Sequence, residues 1–154
     1  MEYITDNNGN RCTYLDGNLH SYNDLPAIIC KNGNQYWYKN GEVHRDNDLP
    51  AAIHANGYKS WYKDGKRHRN NDLPTSILPN GDQFWYQNGK AHRDNDLPAF
   101  ILSNGDRCWL QNNKYHREND KPAVIKANGK AKWYINGVLI KKCNNYFTRV
   151  KRTN

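Results

Sequence analysis

The sequence has no apolar run near the ~18 residues that a membrane-spanning helix requires, and its N-terminus has no signal-peptide core. The chain is therefore expected to be soluble, intracellular, and not secreted by a signal peptide. Aliphatic residues are also scarce: only 36% of residues are hydrophobic, and the mean hydropathy is −1.12. Such a chain has little from which to build a conventional globular core. The 5 Trp and 11 Tyr nevertheless argue against disorder, since disordered segments are poor in aromatic residues. The four cysteines, Cys12, Cys30, Cys108 and Cys143, form no C-x-x-C pair and follow no regular spacing. That excludes a disulfide framework or a zinc site and points to reduced thiols. Acidic residues are missing from the last fourteen positions, where Lys141, Lys142, Arg149, Lys151 and Arg152 supply +5 of the net charge of +8. A nearly balanced body with a basic tail results, rather than a uniformly basic coat.

What the sequence does have is a period. Pro26, Pro50, Pro74, Pro98 and Pro122 are each 24 residues apart, and all five tryptophans (Trp37, Trp61, Trp85, Trp109 and Trp133) keep the same step. So do His20, His44, His68, His92 and His116. Every glycine belongs to one of two series, one in Asn-Gly pairs beginning at Asn8, Asn32, Asn56, Asn80, Asn104 and Asn128, the other eight residues further on. A fixed period of this length marks repeat architecture. Six units follow, near residues 2–25, 26–49, 50–73, 74–97, 98–121 and 122–145, with a basic tail at 146–154. The end units are degenerate, as caps should be: Thr13 stands in the Trp slot, Ile140-Lys141 replace His-Arg, and Tyr146 takes the proline slot.

Within the second unit, residues 26–31, 35–39 and 42–45 read as short strands. Asn32-Gly33 and Asn40-Gly41 separate them and read as two-residue type I′ turns. Under that reading Ile29 faces Tyr36, Ala27 faces Tyr38, Trp37 faces His44 and Tyr38 faces Val43. Ala27, Ile29, Tyr36, Tyr38 and Val43 then share one face, whose Ile29, Ile53, Ile77, Ile101 and Ile125 ladder is the expected core. Ile28, Trp37 and His44 share the other. The expected fold class is all-β: an elongated tandem-repeat antiparallel β-sheet of about six 24-residue units with degenerate caps, each unit touching chiefly its sequence neighbours.

Candidate chemistry has a bland counterpart at each step. His44-Arg45-Asp46 and its equivalents match the start of a kinase catalytic loop, but no glycine-rich phosphate loop or D-F-G accompanies them. The Asp24, Asp48, Asp72, Asp96 and Asp120 series offers too few oxygens for Ca²⁺. Turn-capping Asn and Asp, with the Asp paired to a neighbouring Arg, explains it without metal. No metal or cofactor is expected. The aromatic and basic slots form a candidate interaction surface of Trp37, Trp61, Trp85, Trp109, His44, His68, His92, His116, Arg45, Arg69, Arg93 and Arg117. The simpler account is internal, with Trp stacking on Trp of the next unit and His packing on Trp. An enzyme is not expected, because an active site needs a unique constellation and nearly every polar group here recurs in equivalent surroundings.

The stretch WYKNGEVHRDNDLPAAIHANG, from Trp37 to Gly57, resembles the W-Y-x-N-G-x-x-H-R-x-N-D-L-P-A tandem repeats of large DNA viruses and large phages, described as MORN-like. The resemblance covers residues 2–145. It implies a non-catalytic module in a viral setting, either part of the particle or active in the host cytoplasm. The expected function is a repeat scaffold for protein–protein interaction, with virion proteins or self-association as partners. The alternative is binding of nucleic acid or an anionic surface through the basic tail and the repeated Arg.

Overall fold

The computed structural model describes residues 2–147, so Arg149, Lys151 and Arg152 of the basic tail lie outside the described residues. The chain is all-β and divides into two compact portions, Met1–Pro79 and Asn80–Asn154.

In the N-terminal portion, two-residue strands pair antiparallel in chain order to form a ladder: Ile4–Thr5, Arg11–Cys12, Ile28–Ile29, Gln35–Tyr36, Ala52–Ile53, Lys59–Ser60 and Ser76–Ile77. The C-terminal portion repeats the pattern with Gln83–Phe84, Phe100–Ile101, Arg107–Cys108 and Val124–Ile125, and ends on two longer strands, Ala131–Ile135 and Val138–Cys143. Each internal repeat thus gives two strands to a ladder and then makes a separate side hairpin before the next proline. In the second repeat that hairpin joins Tyr38–Lys39 to Glu42–Val43.

The two Asn-Gly series make different turns. Asn40 and Gly41 both have positive φ, 51° and 85°, the type I′ geometry expected of them. At Asn32-Gly33 only the glycine does, at 86°. There Gly33 N–H donates to Cys30 O at 2.9 Å and Cys30 N–H to Asn34 O at 2.8 Å. That is a type I turn closed by a left-handed glycine, a three-residue loop with a bulge. The Asn32 carboxamide oxygen accepts Asn34 N–H and holds the bend.

This one extra residue overturns the first half of the expected pairing. Ile28, not Ile29, faces Tyr36, and Ile29 faces Gln35. A slip of one residue exchanges the two faces of a strand. The isoleucine ladder consequently alternates with long polar residues, as in Ile29, Gln35, Ile53, Lys59, Ile77, and its members are only half-buried. The row that packs is the other one. In the C-terminal portion Cys108 and Val124 join Ala91, Ala99 and Leu110 in a buried cluster, with Phe100, Tyr86 and Tyr134 against it. The expected Tyr38–Val43 pair is present, and His44 N–H bonds to Trp37 O at 3.0 Å, so the second half of the pairing stands.

A third turn follows each side hairpin. Asn47 and Asp48 have φ of 59° and 54°, and Leu49 N–H reaches back to Asp46 O at 3.3 Å. Two consecutive left-handed non-glycine residues are unusual, and Asn and Asp are the side chains that bear the cost best.

Candidate functional site

The residues singled out by their period converge at the junctions between repeats. The left-handed Asp of one repeat meets the Trp and Arg of the next. Trp37 Nε1–H donates to the backbone oxygen of Asp24 at 2.9 Å, and the same bond joins Trp61 to Asp48, Trp109 to Asp96 and Trp133 to Asp120. Arg45 lies over the Trp37 ring, its guanidinium carbon 3.8 Å from the centroid. It also grips the Asp24 carboxylate through Nε at 2.7 Å and Nη2 at 2.8 Å, and gives Nη1–H to Pro50 O. Arg69 repeats this on Trp61, Asp48 and Pro74, and Arg117 on Trp109, Asp96 and Pro122. Arg93 lies 3.9 Å from the centroid of Trp85.

The expected stacking of Trp on Trp is therefore replaced by stacking of Arg on Trp. The planar guanidinium covers a ring face and keeps its edge for a bidentate carboxylate contact, which an indole could not do. Trp37, Trp61, Trp85 and Trp109 are only 4–7% exposed, so the candidate surface presents little of them to solvent. The Asp carboxylates respond to their partners. Arg45 holds Asp24 below the usual carboxylate range, Arg69 does the same for Asp48, and Arg117 with Lys121 brings Asp96 to about 2.

Lys141, grouped by sequence with the basic tail, is part of this series. It stands in the Arg slot on the strand Val138–Cys143, with Nζ 4.5 Å from the Trp133 centroid and 3.6 Å from Asp120. Lys142 is on the same strand, opposite Lys132. Tyr146 packs its ring against Trp133 at 5.7 Å, closing the last junction from the other side.

The histidines make a second set of ties. His44 Nδ1 lies 3.1 Å from the backbone N and 2.8 Å from the side-chain Oδ1 of Asp64 in the next repeat. Its Nε2 lies 2.9 Å from Asp46 Oδ1, so both ring nitrogens face a carboxylate. Asn40 N–H reaches His20, Asn112 N–H reaches His92 and Asn136 N–H reaches His116 in the same way. His68 Nε2 lies 3.0 Å from Asn70 Oδ1.

A third tie escaped sequence reading. The residue after each Asn32-type Gly turns its side-chain oxygen to a backbone N–H one repeat on: Asn10 to Lys31, Asn34 to Ala55, Asp82 to Ser103 and Asp106 to Ala127, at 2.7 to 3.2 Å. In the third repeat this residue is Tyr58, which has no such oxygen, and the position one repeat on is Pro79, which has no N–H. The missing acceptor and the missing donor coincide. That coincidence is visible in the sequence once the tie is known.

No group of three or more His, Cys, Asp or Glu among the described residues is placed to hold a metal ion. None of their helices is long and apolar enough to cross a membrane. Compared with protein-family models and with curated proteins, the chain matches none.

Proposed function

We propose that the chain is a non-enzymatic repeat scaffold for protein–protein interaction, of the MORN-like kind that its W-Y-x-N-G-x-x-H-R motif resembles, and that it serves as a virus-encoded structural component or part of a virus particle. The observation carrying this reading is the inward commitment of the repeated chemistry. The Trp, Arg, Asp and His that an active site would need free are spent on joining one repeat to the next. What each loop offers outward is a leucine: Leu25, Leu49, Leu73 and Leu97 are 37–48% exposed. Exposed apolar side chains set on rigid turns suit a contact surface. The test compares the chain with a variant carrying Leu25→Ser, Leu49→Ser and Leu73→Ser, by capture from infected cells alongside proteomics of purified particles. Partners retained by the parent chain and lost by an equally folded variant support the reading. Particles without the chain, together with capture indifferent to the leucines, count against it.

The alternative, binding of nucleic acid or an anionic surface, loses its repeated arginines, since Arg45, Arg69 and Arg117 are already paired with Asp24, Asp48 and Asp96. It would rest on lysines such as Lys63 and Lys66, which face each other on an exposed hairpin, and on the tail. Affinity of that origin would fall steeply with added salt.

A further inference from the structure

The hairpin that ends the C-terminal portion joins Ala131–Ile135 to Val138–Cys143, and the second of these is the last strand of the ladder. Among the described residues nothing pairs with its outer edge. It is six residues long, where the ladder strands of the internal repeats have two. Its exposed side chains depart from the repeat. Ile135 stands where the internal repeats have Lys39, Lys63, Gln87 and Gln111, and Val138 where they have Glu42, Lys66, Lys90 and Lys114. Ile140 takes the histidine slot and is the extra residue of the bulge, since Trp133 pairs with Lys141 and Tyr134 with Leu139. The three are 41%, 63% and 61% exposed. The charge changes as well. Lys142 occupies the slot of Asp46, Asn70, Asp94 and Glu118, and it lies directly opposite Lys132. Like charges so placed on a strand pair repel. Neither ammonium group has a hydrogen bond or ion pair among the described residues, whereas that of Lys141 lies 3.6 Å from Asp120.

We propose, resting on the reading of the chain as an interaction scaffold, that this edge takes up an extended strand of a protein partner in which acidic and β-branched residues alternate. The outer N–H and C=O groups of Val138–Cys143 supply the ladder bonds. Side chains alternate across a strand, so Lys132 and Lys142 share one face of the hairpin while Ile135 and Val138 share the other. An added strand satisfies both faces when its acids lie beside the two lysines and its valines or isoleucines beside Val138 and Ile140. Each competing occupant fails on one of these features. A second copy of the same strand, antiparallel to the first, brings Lys141 and Lys142 of both copies to one seam, where their charges repel. A nucleic acid has phosphates for the lysines but nothing for Ile135 and Val138. An anionic membrane receives both kinds of side chain, yet it offers no regular partner to the outer N–H and C=O groups of the strand.

Full-length protein is titrated with an acetylated, amidated peptide of alternating Glu and Val, long enough to span the strand, and backbone ¹⁵N resonances are followed by NMR. The amides of Val138–Cys143 shift saturably while those of Leu25, Leu49 and Leu73 stay still. Val138→Lys and Lys142→Glu each restore a residue that an internal repeat carries at that slot, as Lys114 and Glu118 do. Each weakens binding at least about tenfold, with the melting temperature unchanged. The same peptide N-methylated at every residue loses its binding, because it has no N–H for the ladder. No saturable binding of the Glu/Val peptide overturns the proposal, as does equal binding of a Lys/Val peptide or of the N-methylated one. Sedimentation of the protein alone and binding to phosphatidylserine vesicles are the remaining arms. Self-association that Val138→Lys abolishes, without peptide binding, overturns the proposal in favour of a second copy. Vesicle binding without peptide binding overturns it in favour of a membrane surface. None of these failures touches capture through the leucines, so the scaffold reading and the strand-addition site fall separately.

Discussion

The first and last repeats end their ladders by opposite omissions. The first has neither the Trp nor the Arg of the other repeats: Thr13 and Ser21 stand in those slots. Thr13 is 1% exposed and gives its hydroxyl to His20 O at 2.6 Å, while Ser21 Oγ accepts Tyr38 N–H at 3.0 Å. The last repeat keeps Trp133 and uses Lys141 on Asp120, but has Asn144 where the next Asp would be. Its return strand then pairs directly with Ala131–Ile135 through a bulge at Trp133/Tyr134. The unit of stability is thus the junction rather than the repeat.

The sharpest way to break that comparison is at an indole. Trp61→Ala removes a ring 7% exposed and should cost about 3–5 kcal/mol in chemical denaturation. Thr13→Trp, the reverse change at a slot where Thr13 is 1% exposed, should destabilise by about 1–3 kcal/mol through overpacking. A gain in stability there would show that the indole is self-sufficient. Next is the cation. Arg69→Ala should cost about 1–2 kcal/mol, most of it lost ring contact, because Asp48 is 42% exposed and its ion pair is screened. Lys141→Ala should cost less than about 1 kcal/mol, since that side chain is 44% exposed. Equal losses at the two sites would erase the difference between internal and end junctions.

The third test concerns Tyr58 and Pro79. Tyr58→Asn alone restores an acceptor without a donor, and Pro79→Ala a donor without an acceptor. Together they should show a favourable coupling of about 1 kcal/mol in a double-mutant cycle. Additive effects would mean that the tie found at Asn34 and Ala55 contributes nothing.

The smallest expected effect is on pH dependence. Asp24, Asp48 and Asp96 are all held below the ordinary carboxylate value of 3.8, Asp96 to about 2. A depressed folded-state value gives stability that is present above the unfolded value and lost as pH falls through the folded one. Denaturation midpoints should therefore decline from about pH 4 towards pH 2. Asp96→Asn should flatten that decline in part, whereas Asn144, which has no charge to lose, should leave it untouched when changed to Ala.

How much of this was legible in the sequence can be argued residue by residue. The period, the all-β class and the left-handed glycines were legible, because Gly33 and Gly41 serve their turns by the same lack of a Cβ. The register was not. Asn-Gly fits a two-residue loop and a three-residue bulged loop equally well, and the choice between them decides which face Ile29 joins. The Asp–Arg pairing was legible, but Arg as the partner of Trp was hidden: nothing local shows that the Arg holding Asp24 is Arg45, 21 residues later, or that its guanidinium lies on Trp37. Asn47-Asp48 was legible as a turn, but its handedness was hidden, because nothing local marks two successive left-handed residues without glycine.

The pairing of Tyr58 with Pro79 bears on how such a chain could be lengthened or shortened. Copying or deleting 24 residues keeps most slots in step, whichever residue the copied block starts from. A block that carries Tyr58 but leaves Pro79 behind, however, puts a backbone N–H opposite a phenol, and the reverse cut puts a carboxamide opposite a proline. Exchange between repeats should therefore not be equally tolerated at every point: a cut that keeps residues 58 to 79 together preserves the match, and that block is offset from the proline-to-leucine unit that the eye picks out.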